Sequence, residues 1–102
     1  MTPEQLSDWL AEKFLGLKCE NLEGFGWCWR IPRDGWPCGS DHLCTWAGTP
    51  LLADRLKELD LMWTAEVTDA TAAVQIGCGE WSMADDFPMA LALACKGAQE
   101  AT

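Results

Sequence analysis

Tyrosine is absent from this chain of 102 residues, histidine occurs once, and lysine and arginine together number 7 against 16 aspartates and glutamates. The shortage of positive charge leaves a formal net charge of −9. At neutral pH that charge repels nucleic-acid phosphates and anionic lipid surfaces, so no direct contact with DNA, RNA or membrane is expected. No stretch approaches the ~18 consecutive apolar residues of a membrane span. The opening "MTPEQLSDWL" has neither a basic segment nor an apolar run of signal-peptide length. An unexported chain is therefore expected, with its thiols reduced. No C-x2-C pair occurs, which removes the strongest sequence sign of a zinc site.

What the chain does have is tryptophan, seven of them, within a composition that is 49% hydrophobic and 23% charged. That balance is globular, and the length fits a single domain over residues 1–102. A domain of this size buries roughly two-thirds of its unfolded surface and has little stability to spare. Each indole needs both a packing site and a partner for its N–H.

The periodicities predict elements in the order α, β, (α)α, β, β, α. Thr2, Pro3 and Gln5 make a capping box with proline at the first helical position. Leu6, Trp9, Leu10, Phe14 and Leu17 then form an apolar stripe that ends at Gly16. Phe25, Trp27, Trp29 and Ile31 alternate as one face of a strand, with Asp34-Gly35 as the following turn, and Trp27 and Trp29 are expected to pack under a helix. Ser40 and Thr49 read as caps of two helical stretches, 40–48 and 50–59, continuous or broken at Pro50. Trp63, Ala65 and Val67 alternate on one strand, and Ala72, Val74, Ile76 and Cys78 on the next, as a hairpin. "PMALALACK" is apolar nearly all round, which predicts the most buried helix, ended by Gly97. The expected class is α+β, a small antiparallel three-stranded sheet with helices packed on it as an α-β-α sandwich.

"LAEKFLGL" (10–17), "WP" followed by Ser40-Asp41 and then Trp46, the "MWTAEV" strand (62–67) and the closing "FPMALALACKGA" (87–98) resemble the phage ABA-sandwich domain. That family comprises small proteins of tailed phages and prophages. This chain departs from its usual Tyr-Ser-Thr-Asp at Gly39-Ser40-Asp41 and carries an additional "GTPLLADRL" after Trp46. The resemblance implies the sandwich fold and a phage origin, hence action in the host bacterial cytoplasm. It brings no catalytic motif.

Four constellations bear on chemistry. Cys38, His42 and Cys44, with Cys28 or Cys19 as fourth donor, supply zinc-type ligands at the wrong spacing, so the cysteines read as unrelated buried thiols and no metal or cofactor is expected. His42 and Cys44 stand two apart and point away from each other on a helix, which leaves no nucleophile–base pair and no catalytic residue. Asp85-Asp86 and Glu20/Glu23 are paired carboxylates outside any hydrolase context, and Asp85-Asp86 suit a helix start. Trp36 and Trp81 lie in polar, glycine-rich loops. With Asp34, Glu80, Asp85 and Asp86 they define the expected binding surface, an aromatic patch rimmed by acid.

The functional expectation is a non-enzymatic phage accessory protein that binds a basic host protein, one that itself holds nucleic acid, as an anti-CRISPR type of anti-defence inhibitor would. The alternatives are a small-ligand module that sequesters a nucleotide signal and a zinc-binding structural protein.

Overall fold

Thr2 starts the first helix as its spacing predicts. Its hydroxyl accepts from the Gln5 N–H at 3.1 Å, and the Gln5 side chain accepts from the Thr2 N–H at 2.9 Å. A computed structural model of the chain describes residues 1–30 and 35–101. Helix α1 (Pro3–Trp9) continues as a π-helical turn, Leu10–Phe14, and the chain leaves it through Gly16 at φ +70°. Only glycine adopts that left-handed conformation without strain. The Arg55 guanidinium donates through Nε to the Phe14 carbonyl at 3.0 Å, a partner for one of the helix-end carbonyls.

Strands β1 (Cys19–Leu22), β2 (Gly26–Arg30) and β3 (Gly35–Pro37) form one antiparallel sheet in that order. Strands β4 (Trp63–Val67), β5 (Ala72–Ile76) and β6 (Ser82–Ala84) form a second. Between the sheets come a 3-10 turn, His42–Cys44, and helix α2 (Thr49–Glu58); helix α3 (Phe87–Glu100) closes the chain. The α+β class is as expected, but among the described residues there are two three-stranded sheets where one was expected, because three segments that read in sequence as loop or turn form β1, β3 and β6.

The core is continuous. Leu6, Leu10 and Phe14 of the first helix meet Leu43, Leu52 and Leu56, then Val74 of β5 and Leu91 of α3, all essentially inaccessible to water. Each such side chain contributes roughly 1.5–3 kcal/mol by leaving water. The buried Ser7 hydroxyl accepts from the Leu43 N–H at 3.1 Å, fixing the 3-10 turn onto α1. Gly48 lets that turn and α2 approach closely, since a Cβ there would lie 2.5 Å from the Leu43 Cα and the His42 carbonyl oxygen.

Several local expectations are corrected. The segment after Ser40, open in sequence between one kinked helix and two short ones, is two, but their caps differ from those expected. Neither has a side-chain cap: the Ser40 hydroxyl is buried without a partner, and Thr49 donates back to the Thr45 carbonyl at 3.3 Å. Helix α3 runs through Gly97 to Glu100, because the largely buried stretch 88–95 anchors it and one glycine costs only about 1 kcal/mol. Phe25 stands 78% exposed in a turn and Trp27 60% exposed, so of the described aromatics in that alternation only Trp29 packs inward. Ile31 and the Asp34 side of the turn lie outside the described residues.

The thiol expectation is corrected too. Cys19 and Cys38 form a disulfide. Cys19 stands opposite Trp29 in the β1–β2 register, and the Cys38 N–H donates to the Trp27 carbonyl just past β3. Both cysteines therefore fall on the face of the sheet that carries Trp27 and Trp29, and the bridge joins the segments that flank β2. Spacing in sequence carries none of this, because it depends on which strands pair. Cys28, on the other face, keeps a buried thiol beside the Phe25 carbonyl at 3.7 Å.

Candidate functional site

The expected patch does not assemble around Trp36. Pairing of β3 with β2 places Trp36 opposite Trp29, on the face turned to the core, and it is 3% exposed. Its ring stacks on His42 with centroids 4.6 Å apart and planes inclined by 13°. The indole in the glycine-rich loop is thus a core residue that seats the 3-10 turn. Asp34 lies outside the described residues.

Trp81 is half-exposed, as expected for a loop indole, and Glu80 beside it is exposed. Trp81 lines a largely apolar groove between the β5–β6 connection and the end of α3, with Ile76, Cys78, Ala94 and Ala98. Asp85 and Asp86 are on a different surface. They line a groove with Asp41, over a floor of Pro3, Met89 and Leu93. Asp86 also caps α3, accepting from the Met89 N–H at 3.0 Å. The Cys44 thiol at the edge of this groove is pushed up to about 11, mainly by burial and further by the charges of Asp41, Asp86 and Glu4. Asp41, Asp86 and Glu4 therefore all act on this one thiol. The acidic pair expected in sequence lines this groove, with Asp41 and not with Trp36.

The aromatic part of that surface is one the sequence did not single out. Trp46 is 67% exposed and contacts Phe87 with ring centroids 5.4 Å apart; Phe87 contacts Trp63 at 5.8 Å. Phe87 directly follows the cap Asp86, so the strip begins where the acidic groove ends. The short link "TWAG" between two helices was the available signal for Trp46. For Trp63 there was none, since its alternation is that of a buried strand.

The donors of the zinc reading are otherwise engaged. Cys38 is in the disulfide, His42 is under Trp36, and the Cys44 thiol donates to the Pro3 carbonyl at 3.4 Å. Among the described residues no group of three or more His, Cys, Asp or Glu side chains is arranged to hold a metal ion. Burial alone pushes the Cys95 thiol up to about 12. Thiols raised that far are protonated at neutral pH and are poor nucleophiles. No described helix is long and apolar enough to cross a membrane.

No protein-family model, curated protein or solved structure matches the chain.

Proposed function

We propose that this protein acts by binding and not by catalysis, docking through the Asp41–Asp85–Asp86 groove onto a basic surface of a host macromolecule. The observation that carries this reading is the convergence of those three carboxylates over an apolar floor, beside the exposed Trp46, in a chain of net charge −9. Carboxylates at the groove attract a Lys- and Arg-rich partner and orient it. The apolar floor and the indole then supply the contact that outlasts the encounter.

A protein whose own groove binds nucleic acid offers such a surface, and inhibition of a defence effector of the CRISPR type follows from occupying it. The phage origin rests on the resemblance of the four segments described above. Action in the host cytoplasm is a separate proposal. The Cys19–Cys38 bond is of a kind that persists in oxidising compartments, and thiol counting on protein quenched inside intact cells decides between the two.

The test is capture of nucleic-acid-binding host proteins by wild type and by the combined D41N/D85N/D86N variant, at about 50 mM and about 500 mM salt. Asparagine retains the cap on α3. Capture is expected to fall with salt and to be lost in the variant. Capture indifferent to both refutes the electrostatic reading.

The second reading, a nucleotide-type ligand stacked on Trp81, draws on the apolar groove beside that indole. None of the lysines or arginines among the described residues lines it, so it offers a base a platform and a phosphate no cation. A thermal-shift screen with cyclic nucleotides separates the two readings.

A further inference from the structure

Among the described residues four strands end a sheet, and three of them are blunted against pairing. β1 is tied down by the disulfide at Cys19 and carries Glu20, paired with Arg30 at 3.6 Å. β3 has three residues and ends in Pro37, and β6 has three and runs into Asp85-Asp86. β4 differs. Its five residues, Trp-Thr-Ala-Glu-Val, include no proline, glycine or lysine, pair with β5 without a bulge, and are all exposed. Long unprotected edges of this kind are templates for further strand pairing.

The hydrogen-bond parity of β4 fixes what that edge presents. The Gly77 N–H donates to the Met62 carbonyl at 2.7 Å and the Thr68 N–H to the Thr71 carbonyl at 2.8 Å. In an antiparallel ladder bonded positions alternate, so the even-numbered residues of β4 face β5. The N–H and C=O groups of Trp63, Ala65 and Val67 point to the open edge. The side chains of the same three residues share the face of Ile76, Val74 and Ala72, their register partners, which α3 buries. Over β4 the cover stops, leaving Val67 64% and Trp63 36% exposed.

We propose that β4 is the pairing edge of a homodimer, in which a second copy adds its own β4 antiparallel about Ala65. That register uses the whole strand and joins the two sheets into one. Trp63 then stands opposite Val67 of the second copy, Ala65 opposite its own counterpart on the two-fold axis, and Thr64 opposite Glu66 of the second copy. No like charges face each other; centring the pair on Glu66 would set two carboxylates together. The two α3 helices flank a strip of sheet two strands wide, and Trp63 and Val67 from both copies fill it.

The register about Ala65 suits a second copy, and β4 offers a basic peptide little local acid. β4 carries one carboxylate, Glu66, while the acid that would draw a basic segment lies in the groove of Asp41, Asp85 and Asp86. A net charge of −9 on each copy opposes assembly at long range. Salt screens that repulsion, so the dimer tightens as salt rises, opposite to a contact with a basic partner.

Sedimentation velocity on the full chain, from about 1 μM to about 500 μM at low and high salt, tests this. A strand pair with a small apolar roof is a modest interface, so the mass is expected to rise from 11.3 kDa toward double that value as concentration increases. Ala65→Pro removes an N–H that the β4–β5 ladder does not use, which edge strands tolerate, and is expected to raise the dimerisation midpoint at least about tenfold. Thr64→Lys, opposite Glu66 of the second copy, is expected to lower the midpoint severalfold, and Thr64→Glu to raise it. A monomer throughout, a dimer loosened by salt, or a midpoint indifferent to both Thr64 substitutions would overturn the proposal.

Discussion

The sheet β1–β2–β3 and the sheet β4–β5–β6 have the same strand number and the same antiparallel order, yet different forces hold them to the rest of the molecule. The second is held by burial. Ala72, Val74 and Ile76 of β5 point at α3, whose Ala90, Leu91, Ala94 and Cys95 are buried in return. The first buries Trp29 and Trp36 and adds specific bonds to that burial. Asp8 of α1 accepts from the Trp29 indole N–H at 2.8 Å and from the Gly39 N–H at 3.0 Å, and the disulfide ties its outer segments across β2. An apolar face needs only the right period, whereas a polar latch needs its residues from distant parts of the chain to meet. One attachment should therefore be graded and the other all-or-none.

The sharpest way to break this contrast is Leu91→Ala, which leaves a cavity under the second sheet and is expected to cost about 3–4 kcal/mol in urea unfolding. Next is removal of the disulfide by Cys19→Ser with Cys38→Ser. The bridge closes a loop of sequence separation 19, worth about 3 kcal/mol by its constraint on the unfolded chain. Hydrogen exchange should then rise in β1–β3 while β5 and α3 keep their protection; equal loss in both sheets would erase the distinction. Asp8→Ala leaves the Trp29 and Gly39 donors unpaired and is expected to cost about 2 kcal/mol, again with exchange concentrated in the first sheet.

The smallest expected effect is alkaline. The Cys44 and Cys95 thiols are raised to about 11 and about 12 in the folded protein, from an ordinary 9.0 in the unfolded chain. Raised groups favour the folded state while both states are protonated. Their contribution is whole below pH 9, then falls as the unfolded chain sheds protons, by at most about 1.4 kcal/mol per pH unit per thiol until the folded values are reached. Melting temperature measured from pH 8 to about 9.5, where the two thiols together cost under about 2 kcal/mol, should decline, and Cys95→Ala should flatten the decline. The disulfide of the first sheet takes no part in this titration.

The same contrast explains what was legible in the sequence. The β4–β5 hairpin, the Thr2 cap and the burial of α3 follow from local period and capping chemistry, and they stand as expected. What depends on pairing between strands was not legible. Trp36 looks like a loop indole until β3 pairs with β2, and Cys19 and Cys38 look unrelated until both fall on one face. Trp63 carries the alternation of a buried strand, and only the sheet order shows that its strand is last and uncovered. For the candidate site, Asp85 and Asp86 were readable as a paired acid before a helix. Asp41 was not, because it reaches the groove through the fold of the 3-10 turn.

The bridge between Cys19 and Cys38 shares one face of a small sheet with Trp27 and Trp29. Disulfides accept an electron from excited indoles nearby, so emission from this face is expected to report the oxidation state of the bond. Emission should brighten on reduction without any added dye, at a position whose chemistry also decides whether the outer strands stay tethered.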